Sequence, residues 1–280
     1  MTSVAAARSG AAAAPDQTII SVDGVAHSFG AVEALQEISL NINKGEMVSF
    51  IGPSGCGKST LLNVIGGLLE PTRGKAIVDG TVVKAPLPTK VAYIFQESAL
   101  LPWANVIENI EIALEFQGVP VRERRERARE ALESVRLEDF ALRYPHELSG
   151  GMKQRIALAR GLSLRTEVIL MDEPFAALDE QTRLVFGEEL SVLLARTGKT
   201  IILVTHSLSE AVFLSDRIFV FSARPGRIKS VLEVDRPHPR TPDFMLSPEF
   251  GNARNELYSQ LREEVLLTLR AQGEAGMARP

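Results

Sequence analysis

The sequence predicts an α/β fold with a parallel core sheet, an antiparallel β subdomain beside it and a helical subdomain. Three observations carry this. Short apolar runs at Met47–Ile51, Val168–Met171 and Thr200–Thr205 lack polar alternation, which suits strands buried on both faces of a parallel sheet. Thr18–Val25, Glu37–Ile42 and Lys75–Val83 are β-branched and roughly alternating, with Asp23-Gly24, Asn43-Lys44-Gly45 and Asp79-Gly80 punctuating them as antiparallel hairpins. From Ile107 to Phe140 and from Met152 to about Leu164 the texture is helical and interrupts the strand–helix alternation.

Bulk properties set limits. The 280 residues are 45% hydrophobic and 24% charged, enough for one large or two small globular domains. A net charge of −4 gives no nucleic-acid footprint. No run of about 18 apolar residues could span a membrane. The single cysteine, Cys56, cannot form an intrachain disulfide, which suits a reducing compartment. Residues 1–17 include an alanine-rich Met1–Pro15 segment with no strongly apolar core, so they are expected to be a disordered leader rather than a secretory signal.

The chain is organised around residues 46–60. The strand Met47–Ile51 runs into Gly52-Pro53-Ser54-Gly55-Cys56-Gly57-Lys58-Ser59, and Thr60–Ile65 can open a helix. Strand, glycine loop and helix N-terminus are the context a phosphate-binding loop needs. The glycines let successive N–H groups turn inward onto phosphate oxygens, and the helix dipole adds to that field. Lys58 would reach the β- and γ-phosphates, and the Ser59 hydroxyl would bind Mg²⁺. Cys56 inside the loop predicts that thiol modification blocks nucleotide binding and that nucleotide protects the thiol.

The remaining elements follow in order. Lys90–Phe95 is a strand ending at Gln96. Val121–Arg136 mixes Arg and Glu three to four apart, the pattern of an exposed helix face rather than a basic patch. Leu148-Ser149-Gly150-Gly151 precedes the helix beginning at Met152. Val168–Met171 closes on Asp172-Glu173-Pro174, putting acids at the carboxyl end of a buried strand, where α/β sheets bind ligands. Asp172 suits Mg²⁺, and Glu173 could act on an attacking water as general base. Gln181–Arg196 is a helix, Thr200–Thr205 a strand ending at His206, and Ser209–Leu214 a short helix. Arg217–Ser222 and Arg227–Val234 return as strands. Prolines at 237 and 239 break the pattern before a helix at Glu256–Arg270, and the last ten residues are expected to fray.

With these residues in place the chain resembles the nucleotide-binding subunit of an ABC transporter over about residues 18–235. Leu148-Ser149-Gly150-Gly151-Met152 resembles the family's Leu-Ser-Gly-Gly-Gln signature, with Met152 in place of the glutamine. The resemblance implies a P-loop ABC ATPase using ATP and Mg²⁺. It implies that Phe29 stacks on adenine, that Gly52 to Thr60 form the Walker A loop, and that Gln96 is the glutamine contacting metal or water. It implies further that Val168–Asp172 is Walker B, Glu173 the catalytic base and His206 the switch histidine. Ala176-Ala177-Leu178-Asp179 resembles the loop that crosses the dimer interface. Ser149, Gly150 and Gly151 would contact ATP held by a second ATPase subunit. Ser207 stands after His206 where the family commonly has an acid.

Three further segments, Gln96–Trp103, His206–Arg217 and Ser222–Arg227, resemble the nitrate, sulfonate and taurine group of bacterial importers. This implies two transmembrane permease subunits as partners, a periplasmic or lipid-anchored solute-binding protein indirectly, no nucleic acid, and a peripheral position on the cytoplasmic face of the membrane. Leu100, Leu101 and Trp103, with the helices to about Phe116, would form the groove that receives a permease helix. The expected organisation is an ABC ATPase domain at 18–236, with its helical subdomain at about 97–164, and a C-terminal extension with a helix at 237–280. The alternative is a soluble ABC ATPase acting on nucleic acid or ribosomes. The single cassette without long coiled-coil insertions and the Leu-Pro-Trp segment argue against it.

Overall fold

The computed structural model describes residues 18–176 and 178–277. The expected leader at 1–17, Ala177 and residues 278–280 lie outside the described residues. Two long strands, β1 (Thr18–Phe29) and β2 (Val32–Asn43), pair antiparallel, and β4 (Arg73–Val78) and β5 (Thr81–Val82) complete a four-stranded sheet in the order β2-β1-β4-β5. Asp23-Gly24 does not end a strand. Gly24 takes φ 57° at a register shift between Val22 and Val25, so β1 continues through a bulge. Asn43-Lys44-Gly45 is likewise no hairpin, because the strand after it joins the other sheet.

That second sheet has six strands in the order β10-β9-β3-β8-β7-β6. These are β3 (Met47–Ile51), β6 (Val91–Ile94), β7 (Val168–Asp172), β8 (Thr200–Val204), β9 (Arg217–Phe221) and β10 (Ile228–Glu233). The five from β9 to β6 run parallel, and β10 pairs antiparallel at one edge. Burial on both faces explains the continuous apolar runs. Ile169 and Met171 of β7 join one core cluster, while Val168 and Leu170 join the other.

Helix α1 (Lys58–Ile65) follows β3. Between β6 and β7 stand α2 (Val106–Phe116), α3 (Val121–Ser134), two short 3₁₀ turns and α4 (Gly150–Ser163). Asn105 caps α2 in a reciprocal box with Glu108, and the Ser149 hydroxyl caps α4 by accepting the Met152 N–H at 3.3 Å. Beyond β7 come α5 (Glu180–Thr197) and α6 (Leu208–Leu214). The chain ends in α7 (Pro242–Met245) and a long α8 (Pro248–Met277). The last helix thus starts eight residues before the expected Glu256 and passes the expected Arg270, with Pro248 at its first position, where a missing N–H costs nothing. It does not fray over 271–277. Arg240 is buried beneath this segment, donating from Nη1 to Val212 O at 2.7 Å and Ser215 O at 2.9 Å at the end of α6.

Candidate functional site

The parallel register brings the carboxyl ends of β3, β7 and β8 together. Phe50 pairs with Val204, and Val204 pairs with Asp172. The loop after β3 then turns tightly into α1. Gly57 adopts φ 101°, and a Cβ there would stand 2.6 Å from Leu35 Cδ2 and 2.8 Å from Ala34 O, so only glycine fits. Lys58 is buried, and its ammonium donates to Gly52 O at 2.9 Å and Pro53 O at 3.0 Å. Those carbonyls hold the charge over the loop in the form shown.

Cys56 departs from the sequence-based expectation. Its side chain is buried against the core, 3.7 Å from Lys58 Nζ, and burial pushes the thiol pKa up despite that cation. The buried thiol is a poor target for a labelling reagent, contrary to the exposed loop thiol expected from sequence. The backbone of Cys56 remains part of the loop.

Beside the loop, Ser59 Oγ donates to Asp172 Oδ1 at 2.9 Å. Burial raises the Asp172 pKa, and the Ser59 bond opposes that rise. Glu173 sits at φ 46°, a left-handed conformation costly for a non-glycine residue. Its N–H is fixed by Val204 O at 2.9 Å. Its carboxylate is held from two strand ends: His206 Nε2 lies 2.8 Å from Oε1, and Gln96 Nε2 donates to Oε2 at 3.3 Å.

These groups border a cleft of about 440 Å³, lined by Phe29, Ser54, Gly55, Gly57, Lys58, Ser59, Thr60, Glu173 and His206 together with Val32, Ala34 and Arg224. Phe29 is 55% exposed and edge-on to His27 at 4.6 Å, so it is a surface aromatic and not a core one. Gly52, Pro53 and Cys56 shape the loop without lining the cleft, and Asp172 and Gln96 join through Ser59 and Glu173. Ser149, Gly150 and Gly151 are not brought to it. Ser149 and Gly150 stand exposed at the start of α4, and a Cβ on Gly151 would meet Leu178 Cδ2 at 2.8 Å.

The donor set fits Mg²⁺, which takes one or two protein oxygens and completes its shell with phosphate and water. Ser59 Oγ and Asp172 Oδ1 supply that pair. Among the described residues no group of three or more His, Cys, Asp or Glu gathers to hold a metal by itself. Arg224 lies in the Ser222–Arg227 segment, to which the sequence pattern gives no ligand role. Its guanidinium reaches Gly55 O from Nε at 3.0 Å and Nη2 at 2.9 Å, across 169 positions of sequence.

A family model described as ABC transporter matches residues 35–176. The chain belongs to the ABC transporter family. It is the ATPase component, with a nucleotide-binding cassette of P-loop fold. The nitrate import ATP-binding protein of Synechococcus elongatus is 44% identical over 84% of this chain and 36% of its own length. The taurine import ATP-binding protein of Rhizobium johnstonii is 42% identical, covering 81% of this chain and 88% of that protein. The aliphatic sulfonates import ATP-binding protein of Bacillus cereus is 41% identical, covering 89% and 98%. Among solved structures, a dimeric post-hydrolysis ATP-binding cassette bound to ADP and Pi aligns with a TM-score of 0.71 and 34% identity, over 78% of this chain and all of that one.

Proposed function

We propose that this ABC ATPase is the energising subunit of an importer for a small anionic or zwitterionic solute such as nitrate, a sulfonate or taurine. The hydrolytic part rests above all on one observation: Glu173 is held between Gln96 and His206 at the mouth of the phosphate loop. ATP would lie in the cleft with its adenine on Phe29 and its phosphates on the N–H groups of residues 52–60 and on Lys58. Lys58 would exchange its carbonyl partners for phosphate oxygens. Ser59 and Asp172, with Gln96, would hold Mg²⁺, which would supply charge neutralisation to the phosphates. Glu173 then takes a proton from the attacking water, and His206 orients Glu173 and the γ-phosphate.

Ser149, Gly150 and Gly151 stand away from this chain's own cleft. Their exposed helix N-terminus would therefore complete the cleft of a second subunit in a head-to-tail dimer, most simply a homodimer. The dimeric state of the aligned cassette supports this. Residues 18–236 would form the cassette, with a helical subdomain at about 97–164, and 237–280 a C-terminal extension. The import names of three relatives support two permease subunits and, indirectly, a solute-binding protein as partners, with the cassette peripheral on the cytoplasmic face.

A groove of about 550 Å³ on α2 and α3 suits a permease helix. Trp103, Ile112 and Val121 supply its apolar lining among Glu108, Glu111, Glu115, Arg124 and Arg125; Trp103 and Val121 are each 73% exposed, while Leu100 and Leu101 do not line it and Leu100 packs against the core. The test is co-purification from solubilised membranes of tagged Glu173→Gln protein, with and without Trp103→Ala. A multispanning permease should be recovered, and Trp103→Ala should reduce it; with Glu173 intact, Trp103→Ala should spare ATP hydrolysis by the free subunit. Recovery of ribosomes or nucleic acid instead, with no permease, would overturn the importer reading.

A further inference from the structure

The C-terminal helix reaches the phosphate loop through a three-residue relay that neither the motifs nor the comparisons assign. Glu264 of α8 is buried, and its Oε2 accepts the Ala223 N–H at 2.8 Å. Its Oε1 pairs with Lys229 Nζ at 2.9 Å. Ala223 opens the turn between β9 and β10. The other end of that turn is fastened to β2: Gly226 N–H donates to Ala34 O at 2.9 Å, and Gln36 N–H to Gly226 O at 3.0 Å. The turn packs on the loop so closely that a Cβ on Gly226 would stand 2.0 Å from Cys56 O.

Arg224 projects from the middle of this doubly fastened turn onto Gly55 O and lines the cleft. Among the described residues no carboxylate pairs with it, and its Nη1 makes no hydrogen bond. A guanidinium held on a glycine loop with donors to spare and no counter-ion suits a phosphate anion.

We propose that Arg224 is a nucleotide-binding residue contacting a phosphate of the bound nucleotide, and that Glu264 of the C-terminal helix is its positioning residue. The proposal rests on the reading that the cleft holds nucleotide. ADP binding to the full-length chain, measured by calorimetry, tests it in one subunit without ATP-driven association. Arg224→Ala should weaken ADP about ten- to a hundredfold, the worth of one charge-assisted hydrogen bond, and Arg224→Lys should restore only part, because lysine lacks the fork.

Glu264→Gln should weaken ADP about threefold or more in the wild-type background and have no effect in Arg224→Ala. A general loss of fold would not give that non-additivity. Arg224→Ala binding ADP within twofold of wild type, while Lys58→Ala loses it, would overturn the role of Arg224. An equal effect of Glu264→Gln in both backgrounds would overturn the relay. Lys58→Ala binding like wild type would instead remove the nucleotide reading of the cleft.

Discussion

Glu173→Gln isolates the proton-accepting role with little change in shape. The amide oxygen can still accept from His206, which lies 2.8 Å from Oε1 in the wild type, and Gln96, at 3.3 Å, can rotate its own amide to keep a bond. What is lost is the base. General-base catalysis is worth about 10²- to 10⁴-fold, so the barrier should rise by about 3–5 kcal/mol. ADP and ATP affinity should stay within a few-fold, because Glu173 donates nothing to the phosphates.

Stability should not fall either. The left-handed backbone at φ 46° costs about 1–2 kcal/mol for either side chain, and the substitution removes a negative charge that raises the Asp172 pKa. The assay is phosphate release under saturating MgATP, with a urea titration alongside. Turnover within fivefold of wild type would remove Glu173 from the role of base. A loss of activity accompanied by more than about 2 kcal/mol of destabilisation would show that the residue is structural.

Arg240→Met tests how firmly the C-terminal extension is bound into the fold. It leaves the buried Val212 and Ser215 carbonyls at the end of α6 without donors, at about 1–3 kcal/mol each, so urea unfolding should report about 3–5 kcal/mol lost and not below 1. Asp216 tests acid stability. Burial alone would raise its pKa, but His238, the Met47 N–H and Arg240 outweigh that and hold it below the usual value. A depressed folded pKa contributes stability above the unfolded value of about 3.9 and loses it as pH falls further. Asp216→Asn should therefore be less stable than wild type at pH 7, with the gap closing below about pH 4. A constant gap from pH 7 to 3 would contradict this.

Much of the fold and candidate site could be read locally. The strand–loop–helix of 47–65, the acids closing Val168–Met171 and the histidine closing Thr200–Thr205 each declare themselves within a few residues, because buried parallel strands are short, apolar and end at their ligands. What escaped depends on partners far away in sequence. Gly24 reads as a turn, and only its place between β2 and β4 makes it a bulge. Cys56 reads as loop, and only its place in the core cluster with Phe50 and Phe221 buries it. The early start of α8 is hidden by prolines that read as breakers in sequence, whereas Pro248 opens the helix. Arg224 lies in the Ser222–Arg227 segment, which marks the importer group without giving the arginine a role, and Glu264 has no periodicity or motif of its own; their meaning lies in contacts 169 and 41 positions away.

The central claim is that two chains share each ATP, with the phosphate loop from one and Ser149 from the other. Light scattering of the Glu173→Gln protein tests it most directly. The mass should double on adding MgATP and return on its removal, and Ser149→Arg, which places a bulky side chain at the exposed start of α4, should keep the chain monomeric with ATP bound. Association that ignores ATP, or that proceeds unchanged in Ser149→Arg, would contradict the shared site.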